Sequence, residues 1–143
     1  MDKLALEKLG TASDMPYLLT LTPSFVETSE AGNGVGYTSM RIRGTDASRI
    51  NVTLDGIPLN DPESQQVFWV DLPDLSSSVD NIQVQRGVGT STNGAGAFGA
   101  SVNIQTRSVE NEPFAIVNSS AGSFRTFRNS ISAGTGLIKD RFA

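Results

Sequence analysis

The stretch "NGAGAFGASVNIQT", residues 93–106, contains the Gly-x-Gly-x-x-Gly spacing of a dinucleotide-binding loop. Such a loop must follow a strand and open a helix, because the pyrophosphate binds the free N–H groups at the helix N-terminus. The preceding residues, "NIQVQRG" (81–87), alternate as in a strand, but the following ones do so too, with Val102 and Ile104 set between polar residues. Because one strand follows another, the glycines are not expected to form a nucleotide site.

Composition excludes several classes of function. The 143 residues contain no Cys and no His, so they cannot form a disulfide, a thiolate metal site or a Ser-His-Asp or Cys-His catalytic site. The net charge of −4 disfavours nucleic-acid binding, which requires a basic surface. No apolar run approaches the roughly 18 residues of a membrane-spanning helix, and no signal peptide is visible at Met1. We therefore expect no catalytic residue, no bound metal and no cofactor.

Short helical and extended segments alternate along the chain. Ser13 is predicted to cap a helix over "DMPYLLTL", which ends before Pro23, and a second short helix is predicted over 70–80, capped near Asp71 with Pro73 in its first turn. Alternating apolar and polar residues predict strands at 25–28, 37–44, 49–56, 81–87 and 101–106, and two thinner strands after residue 113. The strand at 49–56 is expected to bury one face only and to end in a tight Asp-Gly turn.

Three motifs occur in a fixed order: "MRIRG" (40–44), "VTLDGIPLND" (52–61) and "IQVQRGVGTSTNGAGAFGASVNIQT" (82–106). Over about residues 13–107 they resemble the plug domain of TonB-dependent outer-membrane transporters. The family pattern is a strand ending in Arg-Gly, a strand ending in Asp-Gly-x-Pro, then Ile-x-Val-x-Arg-Gly, a loop of small residues and a Val-Asn-Ile-x-Thr strand. The sequence departs from it where Val88 replaces Pro, Phe98 replaces Tyr, and Ala100-Ser101 replaces Gly-Gly.

The resemblance implies an α+β fold. Residues 1–108 would be a plug domain with a small mixed sheet and short helices, and residues 109–143 a linker with the first hairpin of a transmembrane β-barrel that continues further. The segment from Gly87 to Thr106 is uncharged and made of small residues, as close packing inside a barrel requires. The TonB box expected upstream of a plug is not found in the sequence.

The resemblance also implies roles for individual residues. Arg43 and Arg86 match arginines that pair with barrel-wall carboxylates and hold the plug in place, here called the lock. The outward loops at 45–49 and 60–69 would contact ligand, with the candidates Asp46, Arg49, Gln65, Gln66, Phe68 and Trp69. The alternative for these loops is ordinary solvation, with Phe68 and Trp69 in the core. The glycines expected to be structural are Gly44, Gly56, Gly87, Gly94, Gly96 and Gly99.

The function that the resemblance implies is uptake of a scarce nutrient, such as a ferric siderophore, haem, cobalamin or a glycan, across the outer membrane of a Gram-negative bacterium. Its partners would be its own barrel, TonB and the transported ligand, with no nucleic acid. A different class remains open: a soluble α/β binding or adhesion module that recognises a glycan or protein through its loops. A carboxylate-dependent hydrolase is a weaker hypothesis, because turn and loop chemistry explains Asp55, Asp61, Glu63 and Asp71.

Overall fold

A computed structural model describes residues 13–88, 97–122, 125 and 127–138. The described residues form one short α-helix and eight strands: α1 (Met15–Leu18), β1 (Phe25–Ser29), β2 (Thr38–Ile42), β3 (Ile50–Leu54), β4 (Ile57–Pro58), β5 (Val79–Arg86), β6 (Ala100–Thr106), β7 (Phe114–Ala121) and β8 (Phe127–Gly134). Short 3-10 helices lie at Ala47–Arg49, Trp69–Asp71 and Leu75–Ser78. The predicted strands are thus present, with shifted ends.

The central sheet is mixed, as the α+β prediction requires. Its strand order is β4-β3-β6-β5, in which β3 runs parallel to β6 while β4 and β5 pair antiparallel with their neighbours. β1 and β2 form a separate antiparallel ribbon, and β7 and β8 form an antiparallel hairpin. Buried side chains join α1 and the β1–β2 ribbon to one face of the central sheet, among them Leu18, Ile42, Val52, Ile82 and Ile104.

Burial of β3 differs from the sequence prediction. We expected Asn51 and Thr53 on an exposed face, but both are buried. The reason is that β3 lies inside the sheet, between β4 and β6, and its polar residues face hydrogen-bonding neighbours: the Thr53 hydroxyl donates to Asn103 Oδ1 over 2.6 Å. The alternation of polar and apolar residues therefore predicted the strand correctly, but the prediction that its polar face is exposed was wrong.

The N-terminal helix begins one residue later than predicted. Asp14, not Ser13, is the N-cap, and α1 ends at Leu18. The Asp14 side chain does not cap the helix; it accepts hydrogen bonds of 3.0 Å from the Gly36 N–H and the Thr38 hydroxyl. Burial raises the pKa of this carboxyl, and the two hydrogen bonds counteract that rise.

The predicted helix over 70–80 is wrong, because Pro73 divides this segment into two 3-10 helices. Proline has no N–H to donate to the carbonyl of Trp69, which instead accepts a 2.9 Å bond from the N–H of Leu72. Leu75 in turn donates to Leu72. The segment is therefore a series of tight turns.

The tight turn after β3 is confirmed. Asp55 and Gly56 both have positive φ, 49° and 84°, the backbone of a two-residue turn that joins β3 to β4. The Asp55 carboxylate then accepts hydrogen bonds from the N–H (3.0 Å) and the hydroxyl (2.7 Å) of Thr106, which connects the turn to the end of β6.

None of the helices in the described residues has the length and apolar character that crossing a membrane would require.

Candidate functional site

The first Arg-Gly motif forms a left-handed turn at the end of β2. Arg43 has φ +54° and Gly44 φ +75°, so the chain reverses there immediately after the buried Ile42. A left-handed conformation is unfavourable for a residue with a β-carbon, and the 2.8 Å bond from the Arg43 N–H to the Ser24 carbonyl helps to hold it. This turn carries the Arg43 side chain to the edge of the domain, where it is exposed.

The second Arg-Gly motif ends β5 at the same edge. Arg86 is exposed, and its Nη1 donates to the Pro23 carbonyl over 3.3 Å, next to the Ser24 carbonyl that holds Arg43. Within the described residues, ion pairs to carboxylates are made by Arg41 and Arg128, and none by Arg43 or Arg86. The two guanidinium groups are thus available to carboxylates from outside the described structure.

The loop after the first motif is joined to the start of β6. Asp46 caps the Ala47–Arg49 helix by accepting from the Ser48 N–H over 3.1 Å, and hydrogen bonding to Ser48 lowers its pKa. The Arg49 guanidinium lies 5.9 Å from the centre of the Phe98 ring, and the Arg49 carbonyl accepts from the Gly99 N–H over 2.8 Å. Asp46 and Arg49 are both exposed, so each can contact a ligand.

The 60–69 loop holds its predicted residues in three different environments. Gln65 is exposed, but its amide donates to the Pro62 carbonyl within the loop. Gln66 is half-buried and Phe68 is 49% exposed. Trp69 is only 3% exposed and belongs to the core, which is the alternative that the sequence left open for this residue. Adjacent aromatics at a 3-10 helix start point in different directions, and packing decided which one is buried.

A cavity of about 210 Å³ lies at this loop, and part of its lining was not predicted from the sequence. Gln66, Phe68 and Trp69 line it together with Glu30, which follows β1, and Tyr37, which precedes β2. The signal available in the sequence was an aromatic residue, Tyr37, directly after the glycine-rich stretch 30–36. The candidates therefore form two groups, one around Arg49 and Phe98 and one around this cavity.

The structural glycines are supported where they can be observed. Gly44, Gly56 and Gly87 have positive φ, and a β-carbon on Gly99 would stand 2.8 Å from Cβ of Thr45. Gly94 and Gly96 lie outside the described residues. Across the described part of the chain, no group of three acidic residues is placed to hold a metal ion.

Comparison with solved structures finds the same fold in parts of larger receptor and transporter proteins. The siderophore receptor PirA from Acinetobacter baumannii is 25% identical with a TM-score of 0.72, over 98% of this chain and 22% of that one. The copper transporter OprC is 25% identical with a TM-score of 0.64, over 88% of this chain and 20% of OprC. FpvA of P. aeruginosa, solved with bound pyoverdines, shares the fold at 19% identity and a TM-score of 0.72, over 97% of this chain and 18% of FpvA.

The chain thus spans about a fifth of each of these proteins. A search of curated protein sequences finds no significant match. The family model for the TonB-dependent receptor plug domain matches residues 1–101, which is more than half of the sequence. The chain therefore belongs to the TonB-dependent receptor plug family.

Proposed function

We propose that this chain is the lumen-closing plug, residues 1–108, and the first wall hairpin, within 109–143, of an outer-membrane transporter that takes up a scarce nutrient. The plug would gate the lumen and contribute to ligand binding through its outward loops. TonB would act through a segment upstream of the plug. The observation that carries the proposal is the polarity of the β7–β8 hairpin.

The two faces of the hairpin have opposite character. The face turned away from the plug is mostly apolar: Val117 is 72% and Ile131 81% exposed, and these two residues are cross-strand partners. The face turned toward the plug carries the half-buried polar residues Arg128, Ser130 and Ser132 on β8, and Phe114, Ile116 and Ser120 on β7. In a water-soluble protein the apolar face of a sheet packs inward, whereas a membrane barrel strand turns its apolar face outward and its polar face to the lumen.

The exposed arginines support the gating role. Arg43 and Arg86 lie together at one edge of the plug without a described carboxylate partner, as a lock that closes on an enclosing wall requires. PirA is a siderophore receptor and OprC a copper transporter, which supports a metal or metal-chelate nutrient as the ligand class. The cavity beside Phe68 and the loop at Arg49 are the proposed contact surfaces.

The membrane placement can be tested with adjacent residues that face opposite ways. In the full-length protein, Ile131→Arg would put a charge in the hydrocarbon region, at a cost of about 2–4 kcal/mol near the membrane midplane. Ser130→Arg adds the same charge on the lumen side, where Ser130 lines an open cavity. We expect Ile131→Arg to lower the amount of folded protein recovered in the outer membrane and Ser130→Arg to leave it unchanged. Equal recovery of both variants would contradict the proposed wall.

Gating is tested separately by deletion of residues 13–107 from the full-length protein. The variant should be recovered in the outer membrane as an open barrel, and vesicles that contain it should pass small solutes that vesicles with the intact protein retain. An intact protein as leaky as the deletion variant would contradict the plug function, even if the hairpin test succeeds.

A further inference from the structure

The hairpin contacts the plug mainly through polar groups. A cavity of about 290 Å³ lies between them, with a lining that includes Ser77, Thr106 and Arg107 from the plug side and Asn118 and Ser130 from the hairpin. Arg107 Nη1 reaches Ser132 Oγ over 3.5 Å, the upper end of hydrogen-bond length. No described residue of the hairpin belongs to the hydrophobic core of the plug, so the polar bonds that cross this contact contribute directly to how firmly the hairpin is attached.

Arg128 of β8 makes the densest set of these bonds. Its Nη2 donates to the Asp74 carboxylate and lies 3.5 Å from the Pro73 carbonyl, and its Nη1 donates to the Ser76 hydroxyl over 3.3 Å. Three acceptors on one short segment of the plug thus contact the same guanidinium group. The Arg128 side chain is 17% exposed, whereas that of Asp74 is 67% exposed. The arginine is consequently held in place, and the carboxylate remains accessible to water.

The segment that receives Arg128 is connected to the start of the described plug. The Leu75–Ser78 helix packs against α1, whose N-cap is the buried Asp14. The charge of Arg128 also acts at this point, because it is one of the influences that lower the pKa of Asp14, against the larger opposing effect of burial. Arg128 is therefore close to the two plug segments, 14–18 and 73–78, that meet below the hairpin.

We propose that Arg128 fastens the hairpin to the plug at Pro73–Ser76, through a hydrogen-bonded ion pair with Asp74. The charges of this pair are placed opposite to those of the proposed lock, because here the cation lies on the hairpin and the carboxylate on the plug. Both partners belong to the described chain, so the contact does not depend on the transport function. It gives the plug a second attachment, on a segment that lies between the two Arg-Gly motifs in the sequence.

The test is a charge swap followed by hydrogen exchange in the full-length protein. Arg128→Gln and Asp74→Asn should each speed amide exchange in 73–78 by about 2- to 5-fold, the range for a partly exposed ion pair. The double variant should exchange no faster than Arg128→Gln alone, because that change already removes the ion pair with Asp74. The swap Asp74→Arg with Arg128→Asp restores the ion pair but not the bonds to Pro73 and Ser76, so it should recover part of the lost protection.

Arg125→Gln is the matched control, since it removes an exposed arginine three residues earlier in the chain. Its exchange in 73–78 should equal that of the wild type. The proposal is overturned if Arg128→Gln behaves like this control, or if the effects of Arg128→Gln and Asp74→Asn add in the double variant. Amide exchange in 73–78 is measured independently of uptake. A negative result in this experiment therefore leaves the transport proposal unaffected.

Discussion

The guanidinium of Arg43 lies against the α-carbon of Gly87: a β-carbon at position 87 would stand 3.3 Å from Nη1 of Arg43. Gly87 has φ +93°, a backbone that favours glycine in any case. The two Arg-Gly motifs, which end different strands, therefore meet at one edge of the plug. Arg86 precedes Gly87, so this contact places both arginines of the proposed lock at the same edge.

The lock predicts a leak when either arginine is lost. If Arg43 and Arg86 pair with wall carboxylates in a poorly hydrated seam, Arg→Ala leaves a carboxylate buried without its partner. That change costs roughly 3–5 kcal/mol for a fully buried pair, and less where water enters. Vesicles with full-length Arg43→Ala or Arg86→Ala should pass small solutes faster than wild type, with ligand binding little changed.

Arg41→Ala is the control for the lock. Arg41 lies in the same strand as Met40 and Ile42, is exposed, and has only a 3.9 Å pair with Asp46. Its loss should leave permeability unchanged, because exposed pairs contribute little. Equal permeability of wild type and all three variants, at matched protein levels, would show that Arg43 and Arg86 are ordinary surface residues.

Gly99 is predicted to be required for close packing. A β-carbon there would overlap Thr45 Oγ1 and stand 3.2 Å from the Arg49 carbonyl oxygen. Gly99→Ala should lower the free energy of unfolding by about 1–3 kcal/mol, the usual cost of overpacking. Thr45→Ala removes the nearest atom, so the double variant should lose less stability than the sum of the two single variants. Strict additivity in chemical denaturation would contradict this close approach.

The Asp55–Thr106 contact predicts a pH dependence. Hydrogen bonds from the Thr106 hydroxyl and N–H lower the pKa of Asp55. Between the lowered folded pKa and the ordinary unfolded value, the unfolded state binds more protons, so stability rises with pH there. The contribution is complete above the unfolded pKa and is lost as pH falls through the folded pKa.

Thr106→Val removes the hydroxyl donor to Asp55, and Thr106→Ser retains one. The stability advantage of wild type over Thr106→Val, measured by urea denaturation, should be largest at neutral pH and should shrink on acidification. The difference between wild type and Thr106→Ser should stay nearly constant with pH. A pH-independent difference for Thr106→Val would show that the hydroxyl does not stabilise the ionised carboxylate.

The neighbouring residues Phe68 and Trp69 are predicted to affect different properties, ligand binding for Phe68 and stability for Trp69. Trp69→Ala empties a core site and should destabilise the plug by about 3–5 kcal/mol. Phe68→Ala changes an exposed side chain and should alter stability by less than about 1 kcal/mol, while weakening ligand binding to the full-length protein. Unfolding and binding measurements on both variants separate the two roles. Unchanged ligand affinity in a stable Phe68→Ala protein would remove the cavity from the proposed contact surface.

Much of this fold follows from local sequence rules. Alternation of apolar and polar residues located the strands, because successive side chains in an extended chain point to opposite faces. Asp55-Gly56 located the β3–β4 turn, because both positions need positive φ. The ordered Arg-Gly, Asp-Gly and small-residue motifs indicated the family, since each motif imposes a backbone requirement that few residue types meet.

Tertiary structure alone decided the rest. Alternation could not show that Asn51 and Thr53 are buried, because a second covered face depends on strands distant in sequence. Nor could it tell which of Phe68 and Trp69 enters the core, or bring Glu30 and Tyr37 to the same cavity as Gln66. A local pattern reports the period of one segment, whereas burial, ion pairs such as Arg128–Asp74 and the meeting of Arg43 with Gly87 arise only when segments far apart in the chain pack together.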